Sequence, residues 1–205
     1  NMREQHSELA GGAQEESNAF LGPKKSLGLV AVAASKGLGE IFKDMQVDEN
    51  VGGGQSMNPS AEDIAAAVNK VNADSVIILP NNKNIILAAE QVKELTDKKI
   101  FVVPTKSFPQ GLSAAIAFEP DETAEYNVEK MKDAAREVKS AEITTAVRDT
   151  VLNGENIVKG QYLGILEGEI VAHLGTVKET VTALLNKMVD EDEDSVISFY
   201  YGEDV

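Results

Sequence analysis

Three consecutive glycines, Gly52-Gly53-Gly54, run into the polar stretch Gln55-Ser56-Met57-Asn58-Pro59-Ser60-Ala61-Glu62-Asp63. Glycine triplets lose much backbone entropy on folding and occur where the chain needs positive φ or the close approach of another group. Asn58 before Pro59 reads as an N-cap with proline at the first helical position, and Ser60 with Asp63 reads as a capping box, so a helix starts here. Free N–H groups at such a start, beside bare glycine backbone, can seat an anion or a polar partner group. P-loop phosphoryl transfer is a different matter. It requires a lysine followed by Ser or Thr at a fixed distance in the glycine-rich turn, and this stretch has no lysine.

Other chemistries find less to stand on. Gly37 and Gly39 supply the first two glycines of a dinucleotide fingerprint, but Phe42 stands where the third should be. With two histidines and no cysteine, metal sites lack their usual ligands, and the acidic run Asp190 to Asp194 lacks the glycine-centred calcium-loop pattern; it reads as a solvated turn. His173 shares a hairpin face with Val171, and no Ser or Asp partner for nucleophilic catalysis is evident; a structural role is expected for it.

The 205 residues, 42% of them hydrophobic, are enough for a sizeable core in one large domain or two small ones. Thirty-four acidic residues against 19 basic ones give a net charge of −15, which repels a phosphate backbone and argues against nucleic-acid binding. An acidic surface favours solubility and basic partners. The longest apolar runs are too short to cross a bilayer, and no basic-then-apolar leader opens the sequence. The lack of cysteine fits a reducing compartment, so a cytoplasmic location is expected. Asn1 in place of an initiator suggests a piece of a longer chain.

The elements that must position the polar stretches follow a regular order. Residues 1 to 22 read as a linker or frayed helix. Leu27 to Ala33 is a nearly continuous apolar run, as in a strand covered on both faces. A turn and a short helix with Leu38, Ile41, Phe42 and Met45 on one face follow, and Val47 to Val51 predicts an edge strand. After the glycine stretch comes a helix with Ile64, Ala67, Val68 and Val71 in register. Ser75 to Leu79 is a strand, Pro80 to Asn84 a polar turn, and Ile85 to Leu95 a helix. Ile100 to Val103 is the next strand, followed by the turn Pro104 to Gly111 and a helix to Phe118. Such alternation predicts an α/β lobe over 23–119 built on a parallel sheet, with the loops after the strands gathered at its carboxyl edge. Lys36, Gln55, Ser56, Asn58, Asn81, Asn82, Thr105, Lys106 and Gln110 would then share one rim, although Asn, Pro and Gly also serve simply as turn and cap residues.

Pro120 and Asp121-Glu122 mark a boundary, and a second α/β lobe, whole or truncated, is expected over 120–205. It opens with a helix from Thr123 to Val138 carrying Ala124, Val128, Met131, Ala135 and Val138 inward. A strand over Ile143 to Val147 precedes a hairpin, Tyr162 to Leu166 and Ile170 to Leu174 around Glu167-Gly168-Glu169. A helix from Thr176 to Met188 and a last strand from Ser195 to Tyr201 complete the reading.

With these stretches in order, Gly53-Gly54-Gln55-Ser56-Met57-Asn58-Pro59-Ser60, Ile78-Leu79-Pro80-Asn81-Asn82, Val103-Pro104-Thr105-Lys106-Ser107, Gln110-Gly111 and Ala146-Val147-Arg148-Asp149 resemble the C-terminal region of the catalytic component of bacterial fatty acid kinase, a dihydroxyacetone kinase-like family. The resemblance covers residue 26 to the end. It implies a two-lobed, DegV-like α/β fold that docks a separate fatty-acid-binding carrier subunit, with the kinase domain, ATP and magnesium elsewhere in the parent protein and homo-oligomers formed through that parent. It transfers no catalytic residue and no cofactor to this chain, since no segment here matches the kinase domain. The expectation is a docking module with Gln55, Ser56, Asn58, Asn81, Asn82, Thr105, Lys106 and Gln110 as its partner or ligand rim. A DegV-like module that binds an acyl chain or an anion is the alternative.

Overall fold

A computed structural model describes residues 21–52, 58–152 and 154–202. The mixed α/β architecture expected from the alternating pattern is present. Four parallel strands, β1 (Leu21–Ala33), β2 (Glu49–Gly52), β3 (Val71–Leu79) and β4 (Lys99–Val102), form one sheet in the order β2-β1-β3-β4. The anticipated edge strand is β2, and the apolar run at Leu27 lies in the central β1.

Alternation along β1 explains why that run had to be nearly continuous. Val30 and Val32 enter one core with Ile64 and Val68 of α2 (Ala61–Lys70) and Ala89 of α3 (Ile86–Gln91). Leu27, Leu29, Ala31 and Ala33 enter the other, with Phe42 of α1 (Lys36–Asp44) and Ala114 and Ala115 of α4 (Phe108–Ile116). A strand with helices on both sides has no polar face to show.

α5 (Ala124–Arg136) follows the Pro120 boundary yet packs on the first sheet: Val128, Met131 and Ala135 join the α1/α4 core. Buried Asn127 fixes the turn before it, accepting from Glu119 N–H at 2.8 Å and donating to the carbonyls of Glu119 at 2.8 Å and Thr123 at 3.1 Å. Ser113 of α4 donates to Ala134 O at 3.0 Å, joining the two helices.

The later part is antiparallel. β5 (Ala141–Thr145), β8 (Tyr162–Leu166) and β9 (Glu169–Leu174) form a sheet in the order β5-β8-β9, covered by α6 (Val177–Met188). A Cβ at Gly164 would lie 3.1 Å from Thr180 and Leu184, so the glycine lets α6 sit close on β8. Glu167 and Gly168, with φ of 49° and 89°, make the two-residue turn that the Glu-Gly sequence suggests. A second hairpin, β6 (Thr150–Leu152) with β7 (Glu155–Ile157), has no counterpart in the sequence reading. It is tied to β9 by His173 Nε2 and Glu155 Oε2, 2.6 Å apart, while the buried His173 Nδ1 has no partner among the described residues.

One expected element is corrected. Ser195 to Tyr201 is not a strand; no described segment pairs with it, and Val196, Phe199 and Tyr201 are exposed. β-propensity alone does not make a strand without a partner edge. The acidic run before it is a turn closed on itself: Asp190 N–H donates to Asp194 Oδ2 at 2.7 Å, and Lys139 Nζ reaches the same oxygen at 2.8 Å.

The helix start at Ser60 is present as a full capping box. Asp63 N–H donates to Ser60 Oγ at 3.2 Å, and Ser60 N–H to Asp63 Oδ2 at 2.9 Å. Hydrogen bonds from the Ser60 N–H, then from its hydroxyl, hold the Asp63 carboxyl below its usual range. For a lowered carboxyl pKa, the stabilisation is present above the unfolded value and disappears as pH falls through the folded one. Asp63→Asn is therefore expected to lower the urea midpoint at neutral pH and to flatten its decline below about pH 4.5, measured by denaturation across pH.

Candidate functional site

The strand order sets the geometry of the rim. From β1 the chain moves outward to β2 on one side, and β3 and β4 lie on the other, so the connections diverge between β1 and β3. In open parallel sheets, ligands settle in the crevice at such a switch point, outside the carboxyl ends of the strands. Here Asn81 occupies it. Its Nδ2 donates to Val32 O at the end of β1 at 2.9 Å, its Oδ1 accepts from the Thr105 hydroxyl at 2.7 Å, and its own N–H donates to Thr105 Oγ1 at 3.0 Å.

The local sequence makes this possible. Asn81 has φ of 57°, the left-handed region that asparagine tolerates better than most residues. Thr105 is 1% exposed at the start of the loop after β4, with both functions of its hydroxyl engaged. Gly111, in the first turn and a half of α4, leaves the space for Asn81: a Cβ there would lie 2.5 Å from Asn81 Cγ and 2.8 Å from Nδ2.

Other rim residues also bond inward. Asn82 Oδ1 accepts from Asn84 N–H at 2.9 Å, shaping the β3 loop, and Gln110 Oε1 accepts from Lys106 N–H at 2.9 Å, fixing the β4 loop. Ser107 caps α4 through Gln110 N–H at 3.3 Å and meets Ser140 Oγ at 2.6 Å. Ser140 N–H in turn donates to Glu167 Oε1 at 2.5 Å, so the β8–β9 turn of the second sheet is held beside the rim of the first.

Asn81, Asn82, Thr105 and Lys106 thus stand on two neighbouring loops and Gln110 in the first turn of α4, with Asn81 bonded to Thr105 and Lys106 to Gln110. Asn58 belongs to a different opening, a cleft of about 310 Å³ that it lines with Asn50, Asp63 and Lys70. Gln55 and Ser56 lie outside the described residues. Sequence reasoning passed over Gly111 as a brace residue, and Ser140 and Glu167 as the join to the second sheet. It also missed Asn50, whose Nδ2 donates to Gly39 O at 2.9 Å while its buried Oδ1 has no partner among the described residues. An asparagine inside a strand, next to the edge valine Val51, was the available signal for Asn50. Among the described residues, no three histidine or carboxylate side chains converge as a metal would require, and no helix is long and apolar enough to cross a membrane.

Residues 28–205 match the model of the FakA-like C-terminal family, the C-terminal part of fatty acid kinase subunits of that type. The chain belongs to this family. Protein YloV of Bacillus subtilis (strain 168) is 43% identical over 205 residues, covering 100% of this chain and 37% of that protein. Uncharacterized proteins of Staphylococcus aureus strains USA300 and N315 are each 39% identical over 204 residues, again with 100% of this chain and 37% of theirs covered. The chain therefore spans well under half the length of these curated relatives. For this FakA-like C-terminal domain, the matched region includes every structural part of the rim: the β1, β3 and β4 ends, Gly111, Ser140 and Glu167.

Proposed function

We propose that this chain is a non-catalytic docking domain of a fatty acid kinase. It holds the fatty-acid-carrier subunit so that a kinase domain elsewhere in the parent protein, working with ATP and magnesium, phosphorylates the acyl carboxylate. The family match over residues 28–205 carries this reading. The rim supports it over ligand binding, because the polar groups of Asn81 and Thr105 are spent on each other and on Val32, leaving a surface of fixed shape at the switch point. A docking domain contributes by proximity: holding the carrier raises its effective concentration at the kinase site and removes part of the entropic barrier to their encounter. The reading places the work in the cytoplasm.

Surface plasmon resonance with the purified carrier subunit over the immobilised chain tests it. Saturable binding at low salt is expected. No binding under those conditions overturns the proposal, and co-purification of a fatty acid with the chain alone, found by mass spectrometry, would favour an acyl-binding module instead.

A further inference from the structure

Most lysine and arginine side chains of the described residues are neutralised where they stand, by ion pairs such as Lys24–Asp74 at 3.0 Å, Lys70–Glu49 at 3.2 Å and Lys99–Glu125 at 2.8 Å. Lys36, Lys83 and Lys106 are exposed and form no ion pair among the described residues. Lys83 and Lys106 lie on the loops after β3 and β4, and Lys36 is the first residue of α1, just after β1; the three strands are adjacent in the sheet. Neighbouring strands lie about 4.8 Å apart, and the Asn81 bonds to Val32 and Thr105 clasp the same three strand ends together.

The backbones that carry these lysines are fixed. Ser35, just before Lys36, caps α1 through Leu38 N–H at 3.4 Å; Lys83 lies inside the Asn82–Asn84 turn; Lys106 N–H is held by Gln110. The N-termini of α1 and α4 end at the same edge and add their partial positive charge. Carboxylates lie close by, and Lys83 Nζ sits against the Glu167-Gly168-Glu169 turn, 3.4 Å from where a Gly168 Cβ would be. Glu40, one turn along α1, feels the charge of Lys36 but bonds to Lys43 at 2.8 Å, and Glu167 is engaged by Ser140 N–H. A chain of net charge −15 thus keeps three lysines without an ion pair among the described residues at the braced edge of its sheet.

We propose that this rim is where the carrier lands and that the carrier meets it with an acidic face. The inference rests on the docking reading above and reverses what the net charge suggests, since an acidic domain would otherwise select a basic partner. Close complementary charges fix register and exclude wrong partners, while the acidic remainder of the surface repels an acidic protein that approaches from any other side.

The test measures carrier affinity for the whole chain and two triple variants of equal net charge. One changes Lys36, Lys83 and Lys106 to Gln; the other changes Lys159, Lys178 and Lys187 to Gln, three lysines off the rim that also form no ion pair among the described residues. Circular dichroism checks that both fold. The rim triple is expected to weaken Kd by about tenfold or more, the off-rim triple by no more than about twofold, and Lys→Arg at the three rim positions to retain binding. Equal binding by the rim triple and the parent sequence overturns this inference and leaves the docking reading standing, as does an equal loss in both triples. Absence of binding by the parent sequence removes the docking reading itself.

Discussion

Gly111→Ala is expected to destabilise the protein by about 2–4 kcal/mol, combining overpacking with the loss of a buried hydrogen-bonded brace. The new methyl group would overlap the Asn81 side-chain amide, with Cγ at 2.5 Å, and that side chain is short and held on both sides, so it cannot swing aside without freeing Val32 O and the Thr105 hydroxyl. A double-mutant cycle separates this cause from an ordinary helix effect. Asn81→Gly keeps the left-handed backbone accessible and removes the colliding atoms, so Gly111→Ala in that background should cost far less, or even stabilise α4, where alanine is the better helix former. Urea denaturation of the four proteins checks it, and additive losses would sink the explanation.

Met131→Ala is expected to cost about 2–4 kcal/mol, the range for emptying a fully buried site. Met131 has 0% exposure and lies in the core formed by α1, α4 and one face of the parallel sheet, although it follows the proline at which a second lobe was expected to begin. The loss should also be uneven across the molecule. Hydrogen exchange should accelerate at the amides of β3 and β4, which α5 covers, more than at β8 and β9. If protection falls only in the antiparallel sheet, α5 stabilises that unit and the packing argument fails.

What the sequence reveals here follows the range of the interactions. The two-sided burial of β1, the capping box at Ser60 and the Glu167-Gly168 turn each depend on residues within a few positions, and each reads directly from the chain. The rim was legible as a set of polar loops, because strand-helix alternation alone places them at one edge. That Asn81 and Thr105 spend their polar groups on one another depends on β3 and β4 being neighbours, a relation across 24 residues that no local pattern carries. Ser195 to Tyr201 shows the converse limit: its residues favour a strand, and propensity cannot supply a partner. The β6–β7 hairpin, with strands of three residues each, was too short to register as alternation, and its docking relies on a histidine contact with β9.

The asparagine at the switch point also bears on regulation. Linkage requires a small molecule to distinguish between two states of its host before it can change the host's affinity for anything else. In this sheet the seat between β1 and β3 is held by a side chain of the protein itself, bonded on both sides. Among the described residues the crevice is filled from within, so a small molecule would have to displace Asn81 to enter it. If the carrier docks at this edge as proposed, its binding is set there by how much carrier is present.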